Sequence, residues 1–137
     1  MVNFEAAREA VYQRWLAGWT ATPVGDWTFA GEVYEPPSDR PWARLTVRNK
    51  PGGGHTLGGA GSRRFIRLAS IFVNVFVPIN SGEGALDPLI QAACDVFEAK
   101  SFGQLRTFAA DPRETGPDRG IWNSAVVEIP FDFHETK

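Results

Sequence analysis

Two periods of apolar and polar residues organise this chain. From Asn3 to Thr20 the large apolar residues Phe4, Val11, Trp15 and Trp19 recur at spacings of four to seven, with Ala6, Ala7, Glu9 and Ala10 favouring helix between them. Asn3 stands where a side-chain oxygen can cap the first turn, so the pattern predicts an amphipathic helix over 3–20, stopped by Gly18, Thr20 and Pro23. Phe29, Gly31 and Val33, running into Glu35-Pro36-Pro37, predict a strand that leaves into a turn. From Trp42 the period changes to two. Ala43, Leu45 and Val47 face a core while Trp42, Arg44, Thr46 and Arg48 face outward, as in a sheet with water on one side.

Residues 49–62 are glycine-rich and offer almost no side chain that could anchor a core, which predicts a long flexible loop. Arg63 to Pro78 contains the β-branched and aromatic run IFVNVFVP and reads as the most buried strand, a candidate for cover on both faces. Gly82 and Gly84 interrupt the chain. Over 85–100, Leu86, Leu89, Ile90, Ala93 and Phe97 fall at helical spacing, with Asp87 and Pro88 suited to a first turn and Lys100 to the last. A short strand over 105–109 and a second loop, ADPRETGPDRG, follow. In the last element, 123–134, Ala125, Val127, Ile129, Phe131 and Phe133 share one face. Pro130, lacking an N–H, places this strand at a sheet edge or a bulge. The predicted fold is a single α+β domain over 1–137, with a mainly antiparallel or mixed sheet and two helices packed on one face.

Composition narrows function more than fold. A length of 137 residues suffices for one core without staples. The net charge of −2 argues against a protein that grips nucleic acid with its whole surface, because such binding displaces counterions with clustered cations. One cysteine, Cys94, allows no intrachain disulfide, which fits a reducing site of folding. The N-terminal segment carries Glu5 and Glu9 and does not read as a signal peptide, and no stretch reaches the length of a membrane helix.

Local motifs do not build a catalytic site. The glycine segment fails the P-loop pattern, since Gly61-Ser62-Arg63-Arg64 enters a strand, and it fails the dinucleotide fingerprint, which would need glycine at Leu57. His55 and His134 lie far apart and read as exposed, Cys94 reads as a small buried residue, and no cofactor or metal site is expected. The cations are more informative. Arg44 and Arg48 share one strand face, while Arg40, Lys50, Arg63, Arg64 and Arg67 flank the glycine segment. With His55 in that segment and Arg113 and Arg119 in the second loop, they form a candidate interaction set, better suited to an acidic protein surface than to a nucleic-acid backbone.

The order of parts from Leu57 to Glu98, with the ends of the chain, resembles the tail-terminator-like proteins of long-tailed bacteriophages and prophages. The likeness lies in Gly58, Gly59, Arg63 and Arg64 before a strand ending Phe76-Val77-Pro78. It continues through Gly82 and Gly84, a helix ending in Phe97, Trp122 and the terminal Ile129-Pro130-Phe131; the N-terminal helix and the PPSDRPWARLTV strand also suit it. The resemblance implies a virion protein that assembles with itself into a ring, usually a hexamer, on the last ring of the tail tube. There it would stop tube growth and present a surface to the head–tail connector, with genomic DNA only passing through the lumen and no membrane partner. It carries no catalytic residues. On this reading the segments 49–62 and 110–121 are expected to order on contact with tube or connector. A neighbouring connector or stopper of the virion neck, an enzyme, and a small nucleic-acid-binding module are the alternatives.

Overall fold

A computed structural model describes residues 2–55, 59, 61, 63–82 and 84–137, apart from the side chain of His55. Its elements run α1 (Phe4–Gly18), β1 (Trp27–Phe29), β2 (Trp42–His55), β3 (Arg64–Pro78), α2 (Asp87–Phe97), β4 (Ser101–Phe102), β5 (Leu105–Thr107), β6 (Asp111–Asp118) and β7 (Trp122–Thr136). The described strands form one sheet in the order β1-β2-β3-β7-β5-β4, with β6 also on β7. Only β1 and β2 run parallel, so the sheet is mixed and mainly antiparallel, as expected.

Both helices lie on one face. Ala43, Leu45 and Val47 of β2, Ile71, Val73 and Val75 of β3, and Ala125, Val127, Ile129, Phe131 and Phe133 of β7 form one core with Ala7, Val11 and Trp15 of α1 and Leu89, Ala93, Val96 and Phe97 of α2. This inner face is the one predicted from alternation. Asn3 caps α1 by accepting the Ala6 N–H at 2.8 Å, and the helix closes on Trp19, which stacks on Trp15 at 4.3 Å. The helices approach closely because Gly18 of α1 meets Val96 of α2; a Cβ on Gly18 would lie 3.4 Å from the Val96 methyls. Thr107 joins α2 to the sheet. Its hydroxyl donates to the Phe97 carbonyl and accepts the Lys100 N–H at 2.7 Å, tying off carbonyl and amide groups that the helix end leaves over.

The structure corrects several sequence expectations. The glycine segment is not a loop in its first half, because β2 continues through Asn49 to His55 against β3; Thr56, Leu57, Gly58, Ala60 and Ser62 lie outside the described residues. Between the pairs Lys50↔Leu68 and Gly54↔Ile66, Pro51, Gly52 and Gly53 stand opposite Arg67 alone, forming a β-bulge. Gly52 and Gly53 adopt φ of +104° and +95°, so residues that read as loop formers satisfy a bulge instead. The second loop is likewise a strand, β6, paired with β7 from Asp111↔Glu128 to Asp118↔Trp122. Neither segment therefore awaits a partner before adopting secondary structure over 49–55 and 111–118.

β7 is not an edge strand, since β3 lies on one side and β5 and β6 on the other. Pro130 is tolerated for a local reason. In an antiparallel ladder a residue's N–H and C=O point to the same neighbour, and the Pro130 carbonyl accepts from Phe108 N at 2.9 Å. The missing donor thus falls at the step where β5 ends and β6 begins, and no bond to β3 is lost. The strand expected over Phe29 to Val33 ends at Phe29, leaving Val33 in a loop. Trp42 does point away from the helices, but it is buried. Phe76 stacks on it at 4.0 Å, Trp122 meets it edge-on at 5.6 Å, and Tyr34 packs against this second, smaller aromatic cluster.

A Cβ on Gly53 would stand 2.0 Å from the Ile66 carbonyl oxygen, in addition to the strained φ. Gly53→Ala is expected to cost at least about 2 kcal/mol in denaturant unfolding. Gly54→Ala, where a Cβ meets nothing within 4 Å, should stay within about 0.5 kcal/mol of the parent.

Candidate functional site

The candidate site is the sheet face turned away from both helices. Its side chains are the alternate residues of each strand, and cross-strand pairing sets them in rows. Arg44 of β2 aligns with Asn74 of β3, Val126 of β7 and Arg113 of β6. The next row holds Thr46, Phe72, Glu128 and Asp111. Arg48, Ser70 and Pro130 follow, and then Lys50, Leu68, Asp132 and Arg106. At the Trp42 end the aromatic cluster covers this face. From Arg44 to Lys50 no described element packs over it, and a depression of about 370 Å³ opens among Thr46, Arg48, Phe72, Asn74, Arg113, Thr115 and Val126.

Two carboxylates organise the charges. Glu128, with its side chain only 15% exposed, accepts from Lys50 Nζ at 2.6 Å, from Ser70 Oγ at 2.9 Å and from Arg113 at 3.3 Å. Hydrogen bonds from Lys50 and then Ser70 hold its carboxyl below the usual glutamate range, against the opposing effect of burial. Asp132 takes Arg106 at 2.9 Å. Arg44 lies over the Trp42 ring at 5.2 Å and the Phe76 ring at 5.9 Å, which fixes it at the border of the aromatic cluster. Arg48 is exposed and makes no ion pair among the described residues.

The candidate cations therefore separate. Arg44, Arg48 and Lys50 share the outer face as their alternation predicted, and β6 brings Arg113 to the same face, where it also pairs with Asp111 at 3.1 Å. Arg119 sits in the exposed turn between β6 and β7, apart from them. Arg63 and Arg64 lie at the far end of the sheet, where Arg63 exchanges two backbone hydrogen bonds of 2.8 Å with Lys137. The backbone of His55 pairs with Phe65 at that end. Of the flanking cations, Arg40 pairs with the buried Asp26 at 2.8 Å, and Arg67 turns to the helix face, where it pairs with Glu135 at 3.0 Å and covers Phe4 and Phe65. Glu128, Phe72 and Asn74 complete the face. Their signal in the sequence was that they alternate out of phase with Val127, Val73 and Val75.

Elsewhere, Cys94 is half-buried, and burial first, then Glu98 and Asp95, push its thiol pKa up, which disfavours the reactive thiolate. Among the described residues no cluster of three or more His, Cys, Asp or Glu is placed to hold a metal ion. No helix among them is long and apolar enough to cross a membrane.

No protein-family model matches the chain, and no functionally curated protein does either. Fifteen solved chains match its fold. One of these, whose printed name states no activity, superposes with a TM-score of 0.64 over 96% of each chain at 16% identity. Identity that low establishes a shared fold alone.

Because the Glu128 carboxyl titrates below the ordinary value of 4.5, its ionised form stabilises the fold above that pH, and the contribution is lost as pH falls through the lowered value. Glu128→Gln is expected to lose about 1–2 kcal/mol at pH 7, measured by denaturant unfolding. The difference between parent and variant should stay level down to about pH 5 and shrink below about pH 4.

Proposed function

We propose that the protein is a ring-forming structural subunit of a long-tailed phage or prophage tail, of the tail-terminator kind. In this reading copies of the chain form a ring, usually a hexamer, on the head-proximal end of the tail tube. The ring ends tube growth and offers the joining surface for the head–tail connector, so the protein resides in the virion. What supports this reading, beside the sequence resemblance, is the outer sheet face. It combines a floor of apolar side chains with charged groups held at fixed places by pairing within the face, which is the character of a surface for another protein.

The same charge arrangement weighs against nucleic acid as the ligand. Lys50, Arg106 and Arg113 are already committed to Glu128, Asp132 and Asp111, so a phosphate backbone would have to displace carboxylates before it displaced counterions. A closed ring needs two different patches on each copy that complement one another, and a sheet with one face on helices and the other open provides surfaces of unlike chemistry.

Solution mass measured by light scattering across concentration, alone and after mixing with tail-tube protein from the same source, tests this. A discrete multiple of the chain mass, formed alone or induced by the tube protein, is expected. A single-chain mass unchanged by tube protein overturns the reading.

A further inference from the structure

The loop between β1 and β2 presents an apolar residue that the fold leaves wholly uncovered. Val33 is 107% exposed, the highest value among the described large hydrophobic residues, and it stands beside Glu32 and close to Glu35, both also exposed. Neither glutamate makes a side-chain hydrogen bond or ion pair among the described residues. The loop is nonetheless anchored. Tyr34 packs against Trp42 at 5.6 Å and donates its hydroxyl to the Gly25 carbonyl at 2.8 Å. An isolated exposed valine is ordinary; a valine held out by an anchored neighbour, between two uncompensated carboxylates, has the form of a plug.

The depression on the outer face has the matching chemistry. Phe72 and Val126 supply apolar surface, Thr46, Asn74 and Thr115 supply polar groups around it, and Arg48 and Arg113 supply positive charge. Arg48 has no ion pair among the described residues, and Arg113, paired with Asp111 at 3.1 Å and Glu128 at 3.3 Å, is half-exposed and keeps guanidinium N–H groups beyond those two bonds. A carboxylate brought between these two guanidinium groups would find donors on both sides.

We propose that the Glu32–Glu35 loop of one copy docks into the outer-face depression of the next, with Val33 against Phe72 and Val126 and the two carboxylates toward Arg48 and Arg113. This inference rests on the ring reading and names the contact that would join neighbours. On the ring reading the plug of each copy enters the depression of the next, so the contact is head-to-tail and repeats from copy to copy until it closes. One loop covers much less than the roughly 800 Å² per partner of a stable pair. The contact is therefore weak between two copies and gains strength when closure makes the last contact intramolecular. A weak contact calls for covalent trapping.

Three proteins in a Cys94→Ser background supply the test: Val33→Cys, Asn74→Cys, and the control Ala17→Cys, an exposed position on α1. Each is checked for an unchanged circular dichroism spectrum and oxidised mildly, alone and in pairwise mixtures, alongside light scattering of the parent chain. Val33→Cys mixed with Asn74→Cys is expected to give a disulfide-linked dimer at least several-fold above either homodimer and above any pairing with Ala17→Cys. The Val33→Cys/Asn74→Cys double variant should give a ladder of linked copies. If the parent assembles but these cysteines pair no better than the control, the contact is overturned and the ring reading stands. If the mixed dimer forms while the parent never exceeds single-chain mass, even with tube protein, the contact stands and the ring reading falls. Preferential capture of Asn74→Cys by a cysteine-bearing tube protein, with no linkage to Val33→Cys, assigns the depression to a different partner and overturns the proposal.

Discussion

The pairing of β3 with β7 fixes almost everything else in this molecule. All fifteen residues of β3, from Arg64 opposite Thr136 to Pro78 opposite Trp122, are in continuous register with β7. Because strand side chains alternate, a slip of one residue would turn Ile71, Val73 and Val75 to water and bring Ser70, Phe72 and Asn74 beneath the helices. The register is held by the cost of that exchange. Once it is set, β2 can add only with Ala43, Leu45 and Val47 on the helix side, and the positions of Arg44, Arg48 and Lys50 on the other side follow without any interaction of their own. The candidate interface is thus the back of the core, and its layout derives from packing that it does not take part in.

The outer face then acquires its own order through Glu128. This carboxylate draws Lys50 from one side of β3 and Arg113 from β6 on the other side of β7, so strands that share no backbone hydrogen bonds are tied across the surface. Its low exposure makes the ties stronger than those of fully solvated pairs. They also hold cations that would otherwise swing freely, while Arg44, over its aromatic rings, and Arg48 make no ion pair among the described residues.

Much of the fold was legible because it rests on burial, and the missed parts rest on backbone geometry alone. The Ala43-Leu45-Val47 and Ala125-to-Phe133 alternations, and Asn3 ahead of α1, state directly what they do. β6 buries almost nothing, so no apolar period marks it, and its Pro and Gly residues read as loop although an edge strand accepts them. The bulge at Gly52 and Gly53 is invisible for the same reason, since a glycine run specifies permissive dihedrals without saying whether they serve a loop or a ladder. Pro130 reads as the mark of an edge or a bulge because it lacks a donor, whereas a step between β5 and β6 suffices. Trp42 was correctly assigned to the outer face; its cover comes from Tyr34, Phe76 and Trp122, contacts of long sequence separation that no local pattern reveals. Arg113 joined the site only through β6, so a sequence reading that missed the strand could not place the residue beside Arg48.

That step at Pro130 has a consequence for how copies of this chain can meet at all. It divides the strands beside β7 into two short lengths, β5 with three residues, bordered in turn by the two-residue β4, and β6 with eight, and β6 is further broken by Pro112, Pro117 and a bulge between Glu114 and Gly116. The opposite margin is β1, with three residues, and then β2 beyond Leu45, where Arg8 donates to the Val47 carbonyl at 3.2 Å and the bulge at Gly52 and Gly53 breaks the row. Nowhere along these margins is there a long straight row of free amides and carbonyls onto which another chain could add strand by strand. Open-ended growth into a cross-β fibre is thereby disfavoured, and association through side chains, whose shapes and charges can fix an angle between neighbours and so bring growth to an end, is favoured over it.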